Sequence, residues 1–358
     1  MCPGQIHNQF LFERPIGDLL KTKKINIWDV IVQSLISYYT VLYINFMLFY
    51  PFHFLLPIIK QILNMKFSLF GLFTLLLLCG EAKAQDDKSK VRVIMFGAHP
   101  DDCDQSGGGT AALFASMGYA VKFVSVTNGD AGHQIDGGPS LAKRRFAEAQ
   151  EAGKRFGVSY DVLDNHDGLL VPSLDVRLQI IKKIREWNAD IVIAPRPNDY
   201  HPDHRYTGVL VQDAAYMVAV PNIEKGTPAL KKNPVFLYFQ DWFQRPNPFR
   251  PDIAIDISKT FDQKIHALDA HVSQFYEWLP WIGHYSEEVP ADAAGKIKWM
   301  SKREDIPITP EVRQALQKWY GAGKGAAVQH AEAFEICEYG AHPNDEQLKK
   351  LFPMLPGN

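Results

Sequence analysis

The chain has 358 residues, 46% of them hydrophobic and 22% charged, with a formal net charge of −2. These values describe an ordinary globular protein. They lack the basic excess that a nucleic-acid partner would demand.

In chain order, the first third is unlike the rest. Asp29 and Lys60 bracket an uncharged span rich in Ile, Leu, Phe and Tyr, which is long enough to cross a bilayer although Pro51 and Pro57 interrupt it. Met65-Lys66 then leads into an apolar run over 67–78 and the small-residue pattern Ala82-Lys83-Ala84 before Gln85. That order of basic start, apolar middle and small-x-small end reads as a signal peptide over 65–84. Such a peptide belongs at an N-terminus, so translation is expected to start at Met65, with 1–64 an upstream extension. The rival reading is a membrane anchor within 31–59. A cleaved signal peptide places the mature chain in the periplasm or outside the cell. Leu76-Leu77-Leu78-Cys79 resembles a lipoprotein signal, but Leu78 is not the small residue such a signal has before its cysteine. In a chain starting at Gln85 only Cys103 and Cys337 remain, too few for a disulfide framework.

From residue 91 onward, strand and helix patterns alternate. A β-branched run over 91–96 predicts a buried strand, after which Gly97 and Ala98 permit a close turn and Pro100 stops strand pairing. Gly107-Gly108-Gly109 follows, but its spacing is not that of a dinucleotide-binding fingerprint, so close packing of the next helix start against the preceding loop is expected. Further strands are predicted at 120–126, 160–163, 189–194, 235–240 and 253–257, the last two at the far edge of the sheet. Helices are predicted at 110–117, 140–156, 174–187, 203–218 and 259–275. The expected inward faces are Leu141, Phe146, Ala149 and Phe156 on one helix, and Leu174, Leu178, Ile181 and Ile184 on the next. Repeated βα units with short connections predict an α/β fold with a Rossmann-like, doubly wound, mostly parallel sheet over 85–285. The aromatic-rich segment 286–358 shows no second core pattern and reads as a C-terminal extension packed on that domain.

Two polar clusters stand just past predicted strand ends, where open α/β sheets bind ligands. His99, Asp101 and Asp102 follow the first strand. One imidazole and one carboxylate supply most of a hydrolytic zinc site, and a second carboxylate supplies a proton acceptor. The competing reading is helix capping by the aspartates. The loop after residue 194 reads Pro197-Asn198-Asp199-Tyr200-His201-Pro202-Asp203-His204, with His201 and His204 spaced so that both can face one point. Two such clusters at the ends of two strands favour a metal.

The pairing of Ala98-His99-Pro100-Asp101-Asp102 with His201-Pro202-Asp203-His204 resembles the PIG-L-type (LmbE-like) family of zinc-dependent N-acetylglucosaminyl deacetylases. The resemblance spans 91 to about 274 and takes in Thr127-Asn128-Gly129, Arg145 with Glu148, Asp167-Gly168, and Ala270-His271 with Ser273-Gln274. Cys103 and Asp130 stand where the family commonly has Glu. The resemblance implies one Zn²⁺ on His99, Asp102 and His204, with Asp101 as general base. It also implies substrate contacts from Arg145 and Asp167. Protonated His201 is the expected second oxyanion donor, with Asp203 holding it charged or else capping a helix. For Arg145 the alternative is an ion pair with Glu148, and for Asp167 a plain Asp-Gly turn. Cys103 as a thiolate ligand is the weaker alternative to a small buried residue. His133 and His271 are left without an assigned role.

The expected activity is removal of acetyl from an N-acetylated amino sugar of the GlcNAc type, or from a glycoconjugate carrying one. The alternatives are an amidase acting on a sugar-thiol or sugar-lipid conjugate and a non-catalytic glycan-binding protein of the same fold. If Ala84–Gln85 is the cleavage point, N-terminal peptide mapping of the mature protein from its native host should recover Gln85 as the first residue. Recovery of peptides from 1–64 would contradict this.

Overall fold

Seven strands build one sheet, in the order β3-β2-β1-β4-β5-β7-β6. They are β1 (Arg92–Gly97), β2 (Ala120–Thr127), β3 (Ser159–Asn165), β4 (Ile191–Ala194), β5 (Val235–Phe239), β6 (Ile253–Asp256) and β7 (Ala331–Gly340). β1 to β5 pair in parallel, and β7 runs antiparallel to both β5 and β6. The α/β, mostly parallel sheet expected from the sequence is therefore present. The computed structural model describes Tyr39 and residues 90–357. Apart from that tyrosine, the span 31–59 and the expected signal peptide 65–84 lie outside the described residues, among which no helix is long and apolar enough to cross a membrane.

Alternation along the strands builds a core on each face. Val93 and Met95 of β1 join Phe114 of α1 (Asp102–Ser116), Ala149 and Phe156 of α2 (Gly138–Phe156), and Ile265 of α5 (Phe261–Leu268). Ile94 and Phe96 point the other way, onto Ile180, Ile181 and Ile184 of α3 (Leu174–Trp187) and Leu210 and Ala214 of α4 (Pro202–Met217). Each such fully buried Val, Leu, Ile, Met or Phe side chain stabilises the fold by about 1.5–3 kcal/mol relative to exposure.

Several expectations need correcting. The helix expected from residue 110 starts at Asp102, so the three glycines lie inside it. They do permit close packing, but not against the preceding loop. A Cβ on Gly107 would meet Met95 and Phe239, one on Gly108 the Phe156 ring, and one on Gly109 the Ile257 side chain. Phe146 and Leu174 face solvent, and Val176 and Ile180 take the inner face of α3 instead. The helix expected over 259–275 is α5 followed by a separate π-helical turn, Ser273–Trp278.

The largest difference concerns the C-terminal segment. It does not only pack on the sheet: β7 inserts between β5 and β6, so the two strands expected together at the far edge are not neighbours. The glutamates of β7 hid it, because Glu332 and Glu335 break the apolar pattern expected of a buried strand. Glu332 is buried all the same. It accepts hydrogen bonds from the backbone N–H groups of Gly109 (2.9 Å) and Thr110 (2.7 Å) and pairs with Lys264 Nζ at 2.9 Å. The C-terminal segment thereby grips the middle of α1, the helix that opens at Asp101 and Asp102.

Removing one member of a buried ion pair strands the other. Glu332→Ala is expected to cost about 3–5 kcal/mol, read as a lower denaturant midpoint. A Lys264→Met/Glu332→Leu double variant should recover most of that loss. Equal destabilisation by single and double variants would show that the pair is not what matters.

Candidate metal centre

The strand order reverses between β1 and β4, since their crossovers run to opposite sides, and a crevice opens at their carboxyl ends. Both polar clusters arrive there. Gly97 ends β1 and must be glycine for packing reasons, because a Cβ there would lie 2.6 Å from Cβ of Asp102. Pro202 at the first turn of α4 sets His201 as its N-cap, whose imidazole accepts from the Asp203 N–H. His204 then points back across the crevice one turn later.

The donor atoms form a small triangle. His99 Nδ1 lies 3.2 Å from His204 Nε2 and 3.6 Å from Asp102 Oδ2, and His204 Nε2 lies 3.4 Å from Asp102 Oδ2. Tetrahedral zinc with ligand bonds near 2.0–2.2 Å separates its donors by roughly 3.4 Å. The residues present fit such an ion. The other nitrogen of His99, Nε2, faces Asp167 Oδ1 at 3.1 Å and Asp203 Oδ2 at 3.3 Å. Donating there fixes the tautomer that leaves Nδ1 free for a metal, the usual carboxylate–histidine–metal arrangement. Two other trios come close enough to share an ion, His99 with His201 and His204, and His99 with Asp167 and Asp203. The first needs His201, whose Nδ1 is already engaged as the helix cap. The second needs the His99 nitrogen that faces the opposite way. The Nδ1 triangle is the better site.

Electrostatics point the same way. Burial lowers the pKa of His99, but hydrogen bonds to Asp102, Asp167 and Asp203 outweigh it and hold the imidazole well above its usual range. Burial likewise opposes protonation of His204, yet Asp102 and Asp199 raise it to about 10. Burial pushes Asp102 up, and His204 and His99 more than reverse this, holding the carboxyl well below its ordinary value. Three carboxylates in this buried crevice demand positive charge. Two protonated imidazoles 3.2 Å apart can supply it, and so can one divalent cation between neutral rings, without their mutual repulsion.

Asp101 stands apart from the triangle. Its side chain makes no capping bond to α1, so the capping reading fails for it. Its Oδ1 lies 3.3 Å from Nη2 of Arg145. Burial raises its pKa, and the Arg145 charge opposes that rise. The alternative reading of Arg145, a pair with Glu148, is not what forms: Glu148 accepts from both the Ser273 N–H and hydroxyl. Arg145 instead donates to Gly129 O at 3.2 Å and Asp167 Oδ2 at 3.4 Å. Gly129 has φ of 71°, and a Cβ there would sit 2.7 Å from the guanidinium.

One expected role, that of Asp203, is corrected by this geometry. Arg145, 2% exposed, is directed at Asp101 and Asp167. Asp167 is turned to His99 and Arg145, with its N–H held by Asp130 at 3.0 Å. The Asp203 carboxylate does not meet His201. It accepts from the Gly168 N–H at 2.7 Å and the Leu170 N–H at 3.3 Å and faces His99. His201 is consequently not held charged: burial lowers its pKa, and the neighbouring His99 and His204 charges lower it further.

The sequence reading missed Asp199, which accepts from His204 Nδ1 at 3.2 Å and from the His201 N–H at 2.8 Å. Its place two and five residues before the histidines was the available signal. The two unassigned histidines prove to be anchors. His133 pairs with Glu277 at 2.9 Å, and His271 with Asp104 at 3.0 Å, whose other oxygen accepts from the Tyr160 hydroxyl. Cys103 and Cys337 are both free thiols buried in the core.

Comparison with known proteins agrees with this geometry. The profile of the PIG-L family, described as GlcNAc-PI de-N-acetylase, matches residues 94–215. A diacetylchitobiose deacetylase of Thermococcus kodakarensis is 31% identical over 203 residues, which cover 53% of this chain and 74% of that protein. The crystal structure of the N,N'-diacetylchitobiose deacetylase from Pyrococcus horikoshii superposes with a TM-score of 0.52 at 25% identity, covering 75% of this chain and 92% of that one. A 4-oxalmesaconate hydratase of Pseudomonas putida is 25% identical over 193 residues, covering 52% of this chain and 74% of that protein.

Proposed function

The chain belongs to the PIG-L (LmbE-like) family, and from that premise we propose that it is a zinc-dependent deacetylase of N-acetylated amino sugars of the GlcNAc type. The observation that carries this reading is the donor triangle of His99, His204 and Asp102 with a second carboxylate, Asp101, outside the triangle on the adjoining residue and paired with Arg145. Similarity to the diacetylchitobiose deacetylases supports the substrate class. The signal-peptide pattern over 65–84 supports action outside the cytoplasm.

A zinc ion held by His99, His204 and Asp102 would polarise the amide carbonyl and bring the pKa of a water towards neutrality. The rest of the work falls to the chain's own groups. Asp101 accepts the proton of the attacking water and returns it to the departing amine, without which the amine is too poor a leaving group. Its raised pKa, caused by burial, suits a group that must both take and give a proton. Arg145, 3.3 Å away, holds that carboxylate in place and keeps it ionised between turnovers. With Nδ1 accepting from the Asp203 N–H, His201 carries its proton on Nε2, a donor for the oxyanion that forms as the water adds. Asp203 and Asp167 on one side and Asp199 on the other orient the two ligand imidazoles.

Base and ligand are then separable. Asp101→Asn should keep zinc and lose roughly 10²–10⁴-fold in kcat for acetate release from an acetylated sugar. His204→Ala and Asp102→Ala should lose the metal first. Elemental analysis beside turnover decides the matter: loss of zinc from Asp101→Asn with retention in Asp102→Ala would reverse the two carboxylates.

A further inference from the structure

We propose that Gln274 is a specificity-determining residue, which holds one hydroxyl of the sugar in a cradle over Gly132 and so rejects sugars that lack it. The inference rests on the sugar-deacetylase reading above and concerns that same site.

Gln274 lies in the π-helical turn, 2% exposed, and its hydrogen bonds lock the amide in one orientation. Nε2 donates to Gly132 O at 3.1 Å and to Ser273 Oγ at 3.0 Å. A carbonyl can only accept, and the Ser273 hydroxyl gives its own proton to Glu148 Oε2 at 2.6 Å, so neither partner tolerates the flipped amide. Both amide hydrogens are thereby engaged. The oxygen is left over: among the described residues, Gln274 Oε1 meets no donor. An unpaired acceptor on a buried side chain calls for a partner, and here none comes from the chain.

That oxygen faces a space kept open by Gly132. A Cβ on Gly132 would lie 3.8 Å from Gln274 Oε1, 3.1 Å from Asp167 Oδ2 and 2.8 Å from Arg145 Nη1. The space belongs to the metal centre. Asp167 Oδ1 lies 3.1 Å from His99 Nε2, and Arg145 Nη2 lies 3.3 Å from Asp101 Oδ1. Two acceptors and one donor therefore converge beside the catalytic base. The bonds from Arg145 Nη1 to Gly129 O (3.2 Å) and Asp167 Oδ2 (3.4 Å) are at or past the long end of the normal range, so that nitrogen can still donate to a ligand. The guanidinium repels a cation from the cradle, and the carboxylate repels an anion. A neutral hydroxyl suits it, accepting from Arg145 Nη1 while donating to Gln274 Oε1. A site made to pair with a hydroxyl rejects the analogue lacking it, because its own polar groups are then left unpaired.

The test measures kcat/KM for N-acetylglucosamine and for the set of analogues each missing one hydroxyl, in the wild-type full chain and in Gln274→Met. The wild type should discriminate about 10–100-fold against one analogue. Gln274→Met keeps the volume without the amide oxygen, and should reduce that discrimination by about tenfold by slowing the parent sugar alone. Loss of the bonds to Gly132 and Ser273 slows every substrate alike and leaves the ratio where it was. If Gln274→Met does not fold, Gly132→Ala carries the test, since its methyl fills the cradle and should lower the same ratio. A wild type indifferent to each hydroxyl, or a ratio unchanged in the folded variant, overturns the assignment and leaves the deacetylase reading standing. No acetate from any acetylated sugar, with zinc bound, overturns that reading and this inference with it.

Discussion

The placement of buried negative charge around His99 governs the site. Asp102 sits on its Nδ1 side, and Asp167 and Asp203 on its Nε2 side. Each carboxylate comes from a different segment: the β1 exit, the β3 exit and the start of α4. Carboxylates leave water only against compensating positive charge. The crevice between β1 and β4 is therefore organised to hold a cation, and the two sides of one imidazole divide the labour. One nitrogen is left free for a metal, and the other is fixed by acceptors that set the tautomer.

The scaffold behind the site is supported from an unexpected direction. α1 carries Asp101 and Asp102 at its opening, and its middle is held by Glu332 from a strand more than two hundred residues later. Lys264 of α5 completes that contact. On the other flank, Arg144 forms a two-pronged pair with Glu277, and Glu148 holds Ser273. These contacts tie α2, which carries Arg145, to the π-helical turn. The C-terminal third thus holds in place the groups that the first two thirds bring to the crevice.

Much of this was legible in the sequence, because the parallel strands are short β-branched runs and the polar clusters stand directly after two of them. Pairing those clusters needed only the topology rule that ligands gather where strand order reverses. What escaped was whatever depended on contacts far apart in sequence. β7 was hidden because its glutamates find partners only in the fold, Glu332 in Gly109, Thr110 and Lys264, and Glu335 in Arg250 and Arg196. Asp203 looked like a partner for its neighbour His201, and only the fold shows Gly168, Leu170 and His99 claiming its oxygens. Nor could the sequence show that Arg145 is enclosed by the Gly129 turn and Asp167.

The account stands on two imidazoles and one carboxylate sharing a single zinc, with sulfur excluded although Cys103 follows Asp102 directly. X-ray absorption at the zinc edge of the purified protein tests this most directly. The account predicts a first shell of nitrogen and oxygen alone at about 2.0–2.2 Å, with the outer scattering of two imidazole rings. A sulfur neighbour near 2.3 Å, or a shell with one imidazole or three, would contradict it.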